Sequence, residues 1–243
     1  KKFAPKIESY IKKIQYTNKN YIVQKFLKKD ELIIEKGEVI GFSGNTGGSS
    51  GPHLHFEIRE KKSQKPINPL LYNLPVYDNQ RPLIQKLFIF YPNKNQILPH
   101  IQTIQLNRTN DSLYETAKIK TTGKIGLGIQ MFDRQDLSYS KNGVYSTKVI
   151  VNGKVISHYK FDKLIINESK KLYHIIDYKS YAQKRLKIFK LFYSEDVKLN
   201  FMNSLIDNGL FEIELGKSYQ VLVETEDFSG NKSIIETYIE GIE

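Results

Sequence analysis

A chain of 243 residues with 40% hydrophobic and 26% charged residues has apolar content for one large or two ordinary globular domains, and no apolar run approaches the length needed to cross a bilayer. Its net charge of +11 comes mostly from lysines scattered among Ile, Asn and Tyr. That pattern suits solubility or adhesion to an anionic surface and speaks against nucleic-acid readers, which favour arginine and basic residues clustered on one face. The absence of cysteine excludes disulfides, iron-sulfur clusters and thiolate zinc sites, so a transition metal would have to be held by His and carboxylate.

The chain begins at Lys1, without Met or a signal-like stretch, and reads as a piece of something longer. Phe3, Ile7, Tyr10, Ile11 and Ile14 recur at helical spacing and predict a short amphipathic helix after Pro5, packing one face on a first domain. Tyr21–Phe26 reads as a strand, Leu32-Ile33-Ile34 leads into a turn at Lys36-Gly37, and Val39–Phe42 reads as another short strand. A glycine-rich run, Gly44-Asn45-Thr46-Gly47-Gly48-Ser49-Ser50, then leads into Gly51-Pro52-His53-Leu54-His55-Phe56-Glu57, an extended segment continuing through Ile58 and Arg59. Prolines at 66, 69, 75 and 82 cannot join a central ladder, so a first domain is expected over 1–73, a linker over 74–82 and a second domain over 83–243.

The second domain reads as all-β. Leu87, Ile89 and Tyr91 alternate, as do Ile125, Leu127, Ile129 and Met131. Asn152-Gly153 between Val149-Ile150-Val151 and Val155-Ile156 predicts a two-residue hairpin turn, and a second Asn-Gly at 142–143 precedes a strand from Tyr145. Tyr219–Glu224 leads through Asp227-Phe228-Ser229-Gly230-Asn231 to a last strand through Ile234 and Tyr238. Short strands separated by turn signals predict a sandwich. Tyr178, Ala182, Leu186, Phe189 and Tyr193 are spaced for a helix carrying Lys184, Arg185, Lys187 and Lys190, read as packed on the sandwich with its cations solvated.

Successive side chains of an extended segment point to opposite faces, so His53 and His55 share one face while Leu54 and Phe56, expected in the core, take the other. Two imidazoles so placed can hold a metal, or divide the work between metal binding and proton handling. His100, His158 and His174 lack ligand-like spacing and read as surface or packing residues.

The run Gly41-Phe42-Ser43-Gly44-Asn45-Thr46-Gly47 followed by Ser50–Glu57, flanked by Lys36–Gly41 and Ile67-Asn68-Pro69-Leu70, closely resembles the C-terminal signature of the lysostaphin-type, LytM-like zinc endopeptidases, which cut peptide cross-links in bacterial cell walls. The resemblance covers residues 1–73. It implies that His55 is a zinc ligand, that His53 is a catalytic residue beside the zinc-bound water, and that Asn45, Thr46, Gly47 and Gly51 line a substrate groove, where backbone without bulky side chains can approach a peptide closely. It also implies peptidoglycan peptide stems as substrate and a periplasmic or extracellular place in the cell envelope. The family's other zinc ligands, a His-x-x-x-Asp motif, and its second catalytic histidine, in Tyr-x-His-Leu, do not occur here and are expected upstream of Lys1. The second domain resembles, more loosely, the immunoglobulin-like modules of bacterial surface proteins.

The fold class expected is therefore mainly β: part of a LytM-like β-domain followed by an immunoglobulin-like β-sandwich with a helical insertion. The implied function is that of a fragment of a zinc metalloendopeptidase, inactive by itself, whose second domain spaces it or docks other envelope proteins. The alternative is a non-catalytic LytM-like module that activates other wall hydrolases; a phosphohistidine carrier is more remote.

Overall fold

The computed structural model describes residues 2–45, 51–92, 100–162, 173–193 and 201–242. The protein is mainly β, with two α-helices among the described residues, and its contacts divide it into two compact units, Lys1–Phe56 and Glu57–Glu243.

In the first unit Pro5 opens a helix, Pro5–Asn18, where its fixed φ is already helical, and Lys19 closes it in the left-handed region at φ 50°. None of the helix's side chains is buried. It is held by polar contacts instead: the Lys6 ammonium donates to the Ile33 carbonyl at 2.6 Å and to Glu38 at 3.0 Å, and the Tyr10 hydroxyl donates to Glu31 at 2.7 Å. The Lys28 backbone N–H, Tyr10 and Lys25 hold the Glu31 carboxyl down at about 2. Lys2–Phe3 pairs antiparallel with Gly41–Phe42, and Gly37 makes the expected turn at φ 88°. Tyr21–Phe26, expected as a strand, is irregular; among the described residues no strand pairs with it, and without a partner extended chain gains no ladder.

Residues 57–73, expected with the first domain, fall within the second unit. Ile58–Arg59 pairs with Pro66–Ile67, and the Asn68 backbone N–H donates to the Asp162 carbonyl at 3.0 Å. The following segment lies against the second unit through specific bonds. Asn231 donates to the Asp78 carbonyl at 3.0 Å, Asn79 donates to Asp136 at 2.9 Å, and the buried Ser233 hydroxyl donates to the Pro82 carbonyl at 2.7 Å.

The second unit is built on two sheets. One has the order Phe189–Lys190, Gly123–Phe132, Leu83–Tyr91, His100–Ile104, with Phe211–Ile213 also on the Gly123–Phe132 strand. The other runs Met202–Leu205, Lys154–Lys160, Ser146–Val151, Ser218–Glu226, Lys232–Gly241, Leu113–Glu115, Asn107–Arg108. Two short segments, Leu113–Glu115 and Ile119–Thr121, pair in parallel with the Lys232–Gly241 strand. The predicted alternation is realised: Leu87, Ile89, Ile125, Leu127 and Ile129 from one sheet join Val149, Val221, Val223, Ile235 and Ile239 from the other in one buried core. Asn152 at φ 47° and Gly153 at φ 77° form the predicted hairpin turn, which suits the right-handed twist of the strands it joins.

The Gly123–Phe132 strand is covered on its other face too. Phe88, Phe90, Ile188 and Phe192 form a second buried cluster there, and Gly126 and Gly128 make the room. A Cβ on Gly126 would lie 2.5 Å from the Phe192 ring, and one on Gly128 2.5 Å from the Phe90 ring and 2.9 Å from Ile188.

The helix expected across Tyr178–Tyr193 stops early. It spans Tyr178–Lys184, begun by the Asp177 side chain, which accepts from the Ser180 N–H, and ended by Arg185 at φ 54°. Beyond it Phe189–Lys190 pairs with the Gly123–Phe132 strand, and Ile188, Leu191 and Phe192 are buried; burial of those side chains outweighs the helical periodicity. No helix among the described residues is long and apolar enough to cross a membrane.

Gly128→Val should destabilise the protein by about 1–3 kcal/mol through overpacking, seen as a lower urea midpoint with an unchanged slope. His158, half-buried and 3.1 Å from the Ser146 hydroxyl, has its pKa lowered by burial and then by Lys148 and Lys160. The folded state therefore resists a proton that the unfolded chain accepts, and stability from the neutral ring is lost as pH falls below about 6.5. Relative to wild type, His158→Gln should gain stability between about pH 7 and pH 5 in paired denaturation curves.

Candidate functional site

The paired histidines lie in a short extended segment held by one bridge, in which His53 pairs antiparallel with Gly44. Glycine at position 44 brings the start of the glycine-rich loop against the histidine segment. His53 and His55 are both exposed. The His53 Nδ1 lies 2.9 Å from the Gly51 carbonyl oxygen. A carbonyl can only accept, so Nδ1 carries the proton and Nε2 carries the lone pair. This contact calls for the Nδ1–H tautomer and helps to orient the ring, as a metal-site or proton-transfer histidine requires.

Leu54 and Phe56, expected in the core, are 83% and 57% exposed. The reason lies in the unit as a whole. Ala4 is its one buried hydrophobic residue among those described, while Phe3, Tyr21, Ile22, Phe26, Val39, Ile40 and Phe42 are exposed. The unit presents apolar side chains on the faces where a β-domain ordinarily holds a core.

Of the residues predicted to line a groove, Asn45 is exposed and Gly51 half-buried; Thr46 and Gly47 lie outside the described residues. Among the described residues no third His or carboxylate gathers with His53 and His55. Neutral imidazole nitrogens are suitable donors for zinc, but a catalytic site takes about three protein ligands and a water, so the described donors are right in kind and short in number. His100 is exposed beside Tyr91, their rings 5.5 Å apart, and His174 is exposed.

A different group of ligating side chains gathers in the second unit. Asp78, Asp133 and Asp227 bring carboxylate oxygens within 4.8 Å of one another. They lie far apart in sequence and share no motif; the one local signal was the Asp-Phe-Ser-Gly-Asn turn that carries Asp227.

Residues 11–69 match Peptidase family M23, which bears out the LytM-like resemblance of the histidine motif and its flanks. Among curated proteins, the chain is 52% identical over 42 residues to "DD-carboxypeptidase/endopeptidase Mpg" of Neisseria meningitidis serogroup B, which is 17% of this chain and 9% of that protein. It is 45% identical over 53 residues to an "Uncharacterized metalloprotease" of Haemophilus influenzae, 22% and 11% of the two chains. It is 36% identical over 61 residues to "Peptidoglycan DD-endopeptidase ShyA" of Vibrio cholerae, 25% and 14%. The match thus spans a small part of each relative's length. No solved structure matches the chain.

Nitrogen NMR of His53 at about pH 8, where imidazole is neutral, should show the proton on Nδ1. A dominant Nε2–H tautomer would contradict the contact with the Gly51 carbonyl.

Proposed function

We propose that this chain is part of a zinc-dependent endopeptidase that hydrolyses peptide cross-links of bacterial peptidoglycan in the cell envelope, with His55 a metal ligand and His53 the proton-handling residue. The observation that carries this reading is the family match over residues 11–69, which includes the His-Leu-His segment, with relatives named as endopeptidases on either side of the range of identity. Zinc, when bound, would polarise the scissile carbonyl and make an attacking water more acidic. His53, its Nδ1–H held by the Gly51 carbonyl, presents at Nε2 a lone pair that can take a proton from the attacking water and return it to the leaving amine. In this reading Asn45 and Gly51 line the peptide groove beside that nitrogen, and the remaining ligands belong to other parts of the longer protein. The second unit, an immunoglobulin-like sandwich, acts as spacer or docking module for other envelope proteins.

A second reading, a non-catalytic module that binds and activates other wall hydrolases, is favoured by one observation: the described residues gather two imidazoles and no third donor.

One experiment separates the two. In a longer protein that contains this chain, digestion of purified peptidoglycan should fall after His55→Ala by more than the about 10–100-fold typical of losing a group that only orients a metal ligand, and should stop on zinc removal. Undiminished cleavage after either change would overturn the enzyme reading. No cleavage by the wild type, together with stimulation of a second hydrolase, would establish the other. The present chain alone should bind zinc weakly by calorimetry and release no peptide, because two imidazoles are too few.

A further inference from the structure

The three carboxylates of the second unit are held by different parts of the fold. Asp133 follows the Gly123–Phe132 strand, where its backbone exchanges N–H···O bonds with Asn142 at 3.0 and 2.8 Å. Asp227 begins the turn between the Ser218–Glu226 and Lys232–Gly241 strands. Its two carboxylate oxygens accept from the Asn231 backbone N–H at 2.8 Å and side-chain amide at 2.7 Å. Asp78 lies on the segment after Tyr72; its carboxylate accepts from the Gln80 N–H at 3.0 Å and its carbonyl from the Asn231 amide.

No ion pair among the described residues involves any of the three. The cation adjacent in sequence, Arg134, has its guanidinium over the Phe132 ring at 5.4 Å. Asp133 is only 6% exposed; its carboxylate is favoured by the Arg134 backbone N–H, but its Oδ1 is buried with no hydrogen-bond partner among the described residues. A buried acceptor in that condition is costly unless something outside the protein satisfies it. Burial, then repulsion from Asp227 and Asp78, pushes the Asp133 carboxyl up to about 7 when no cation is present. The Asp78 carboxyl is raised by burial, with Asp227 and Asp136 adding to it. Asp78 and Asp133 also line a cavity of about 660 Å³ with the side chains of Gln135, Asn142 and Ser229, which offers an entry path and further oxygen donors.

We infer that Asp78, Asp133 and Asp227 form a divalent-cation site, and that its ion is calcium. An all-oxygen donor set suits hard cations over zinc. Carboxylate oxygens no more than 4.8 Å apart can share one ion, and three protein carboxylates suit calcium, which takes many oxygens in flexible geometry, better than magnesium, which keeps several waters and is usually held by one or two carboxylates. Water and the cavity's amide oxygens fill the rest of the shell. The ion ties the 74–82 segment to one strand end from each sheet, and it supplies the partner that the Asp133 Oδ1 lacks.

The test uses the full chain, stripped with a chelator and titrated with calcium chloride by calorimetry, with melting curves in parallel. One calcium per chain is expected, with Kd at or below the about 10⁻³ M of extracellular modules, and a melting temperature several degrees higher at saturation. Magnesium at equal concentration should shift it less. Asp133→Asn should weaken calcium binding at least tenfold while melting no lower than the stripped wild type, since the Oδ1 makes no hydrogen bond. Asp78→Asn should do the same from the more exposed side. Absence of binding heat and melting shift in the wild type overturns the site, as does unchanged affinity in both variants. A wild type indifferent to calcium combined with a stabilised Asp133→Asn protein would mean that a proton, not a metal, neutralises the cluster.

Discussion

The Gly123–Phe132 strand is closely covered on both faces, and on one of them the space for the covering rings is the missing Cβ of Gly126 and Gly128. Ile125, Leu127 and Ile129 fill the inter-sheet core, while the glycines between them let Phe192, Phe90 and Ile188 close over the outer face. The rest of the sandwich follows from this arrangement. Once Ile188–Phe192 is drawn onto the sheet it cannot remain helical, so the Tyr178 helix ends at Lys184 and its neighbours become a short edge strand. The same residues complete the covering of Leu83–Tyr91, whose Phe88 and Phe90 would otherwise face water.

Burial is distributed unequally between the units, and this decides what each can do unaided. The second has a continuous core drawn from both sheets. The first keeps its helix in place with Lys6, Tyr10 and their carboxylate partners while Phe26, Ile40, Leu54 and Phe56 remain exposed. Polar contacts in water contribute little to stability compared with a buried apolar face. The histidine segment therefore sits on a scaffold whose own interactions are among the weakest in the molecule, even though the Gly51 carbonyl orients the His53 ring.

Local signals in the sequence were those that local physics can enforce. The alternation at Leu87–Tyr91 and Ile125–Met131, the positive-φ pair Asn152-Gly153 and the Pro5 helix start all appear as expected. The His-Leu-His motif and its glycine-rich approach pointed to the peptidase family that residues 11–69 match. What the sequence could not show depends on partners distant in the chain. Tyr21–Phe26 has strand composition but no strand paired with it among the described residues. Leu54 and Phe56 alternate as core residues should, yet nothing among the described residues covers them. Periodicity extended the second helix to Tyr193 because it does not record the pull of a sheet. The three aspartates of the second unit have no spacing that could reveal them, since only the folded sheets bring their oxygens together.

The position of the Lys232–Gly241 strand sets an order of events. It is interior to its sheet, zipped to Ser218–Glu226 on one side and to Leu113–Glu115 and Ile119–Thr121 in parallel on the other. Those two short segments emerge from the ribosome more than a hundred residues before the strand they lie against, an interval that follows from the numbering of the paired residues. Leu113–Glu115 can pair early with Asn107–Arg108, but the parallel pairing of both segments must wait, because contact across this separation closes a long loop and is slow. The parallel edge of the eight-stranded sheet thus forms late, and until then the early segments depend during synthesis on whatever keeps exposed strand edges apart.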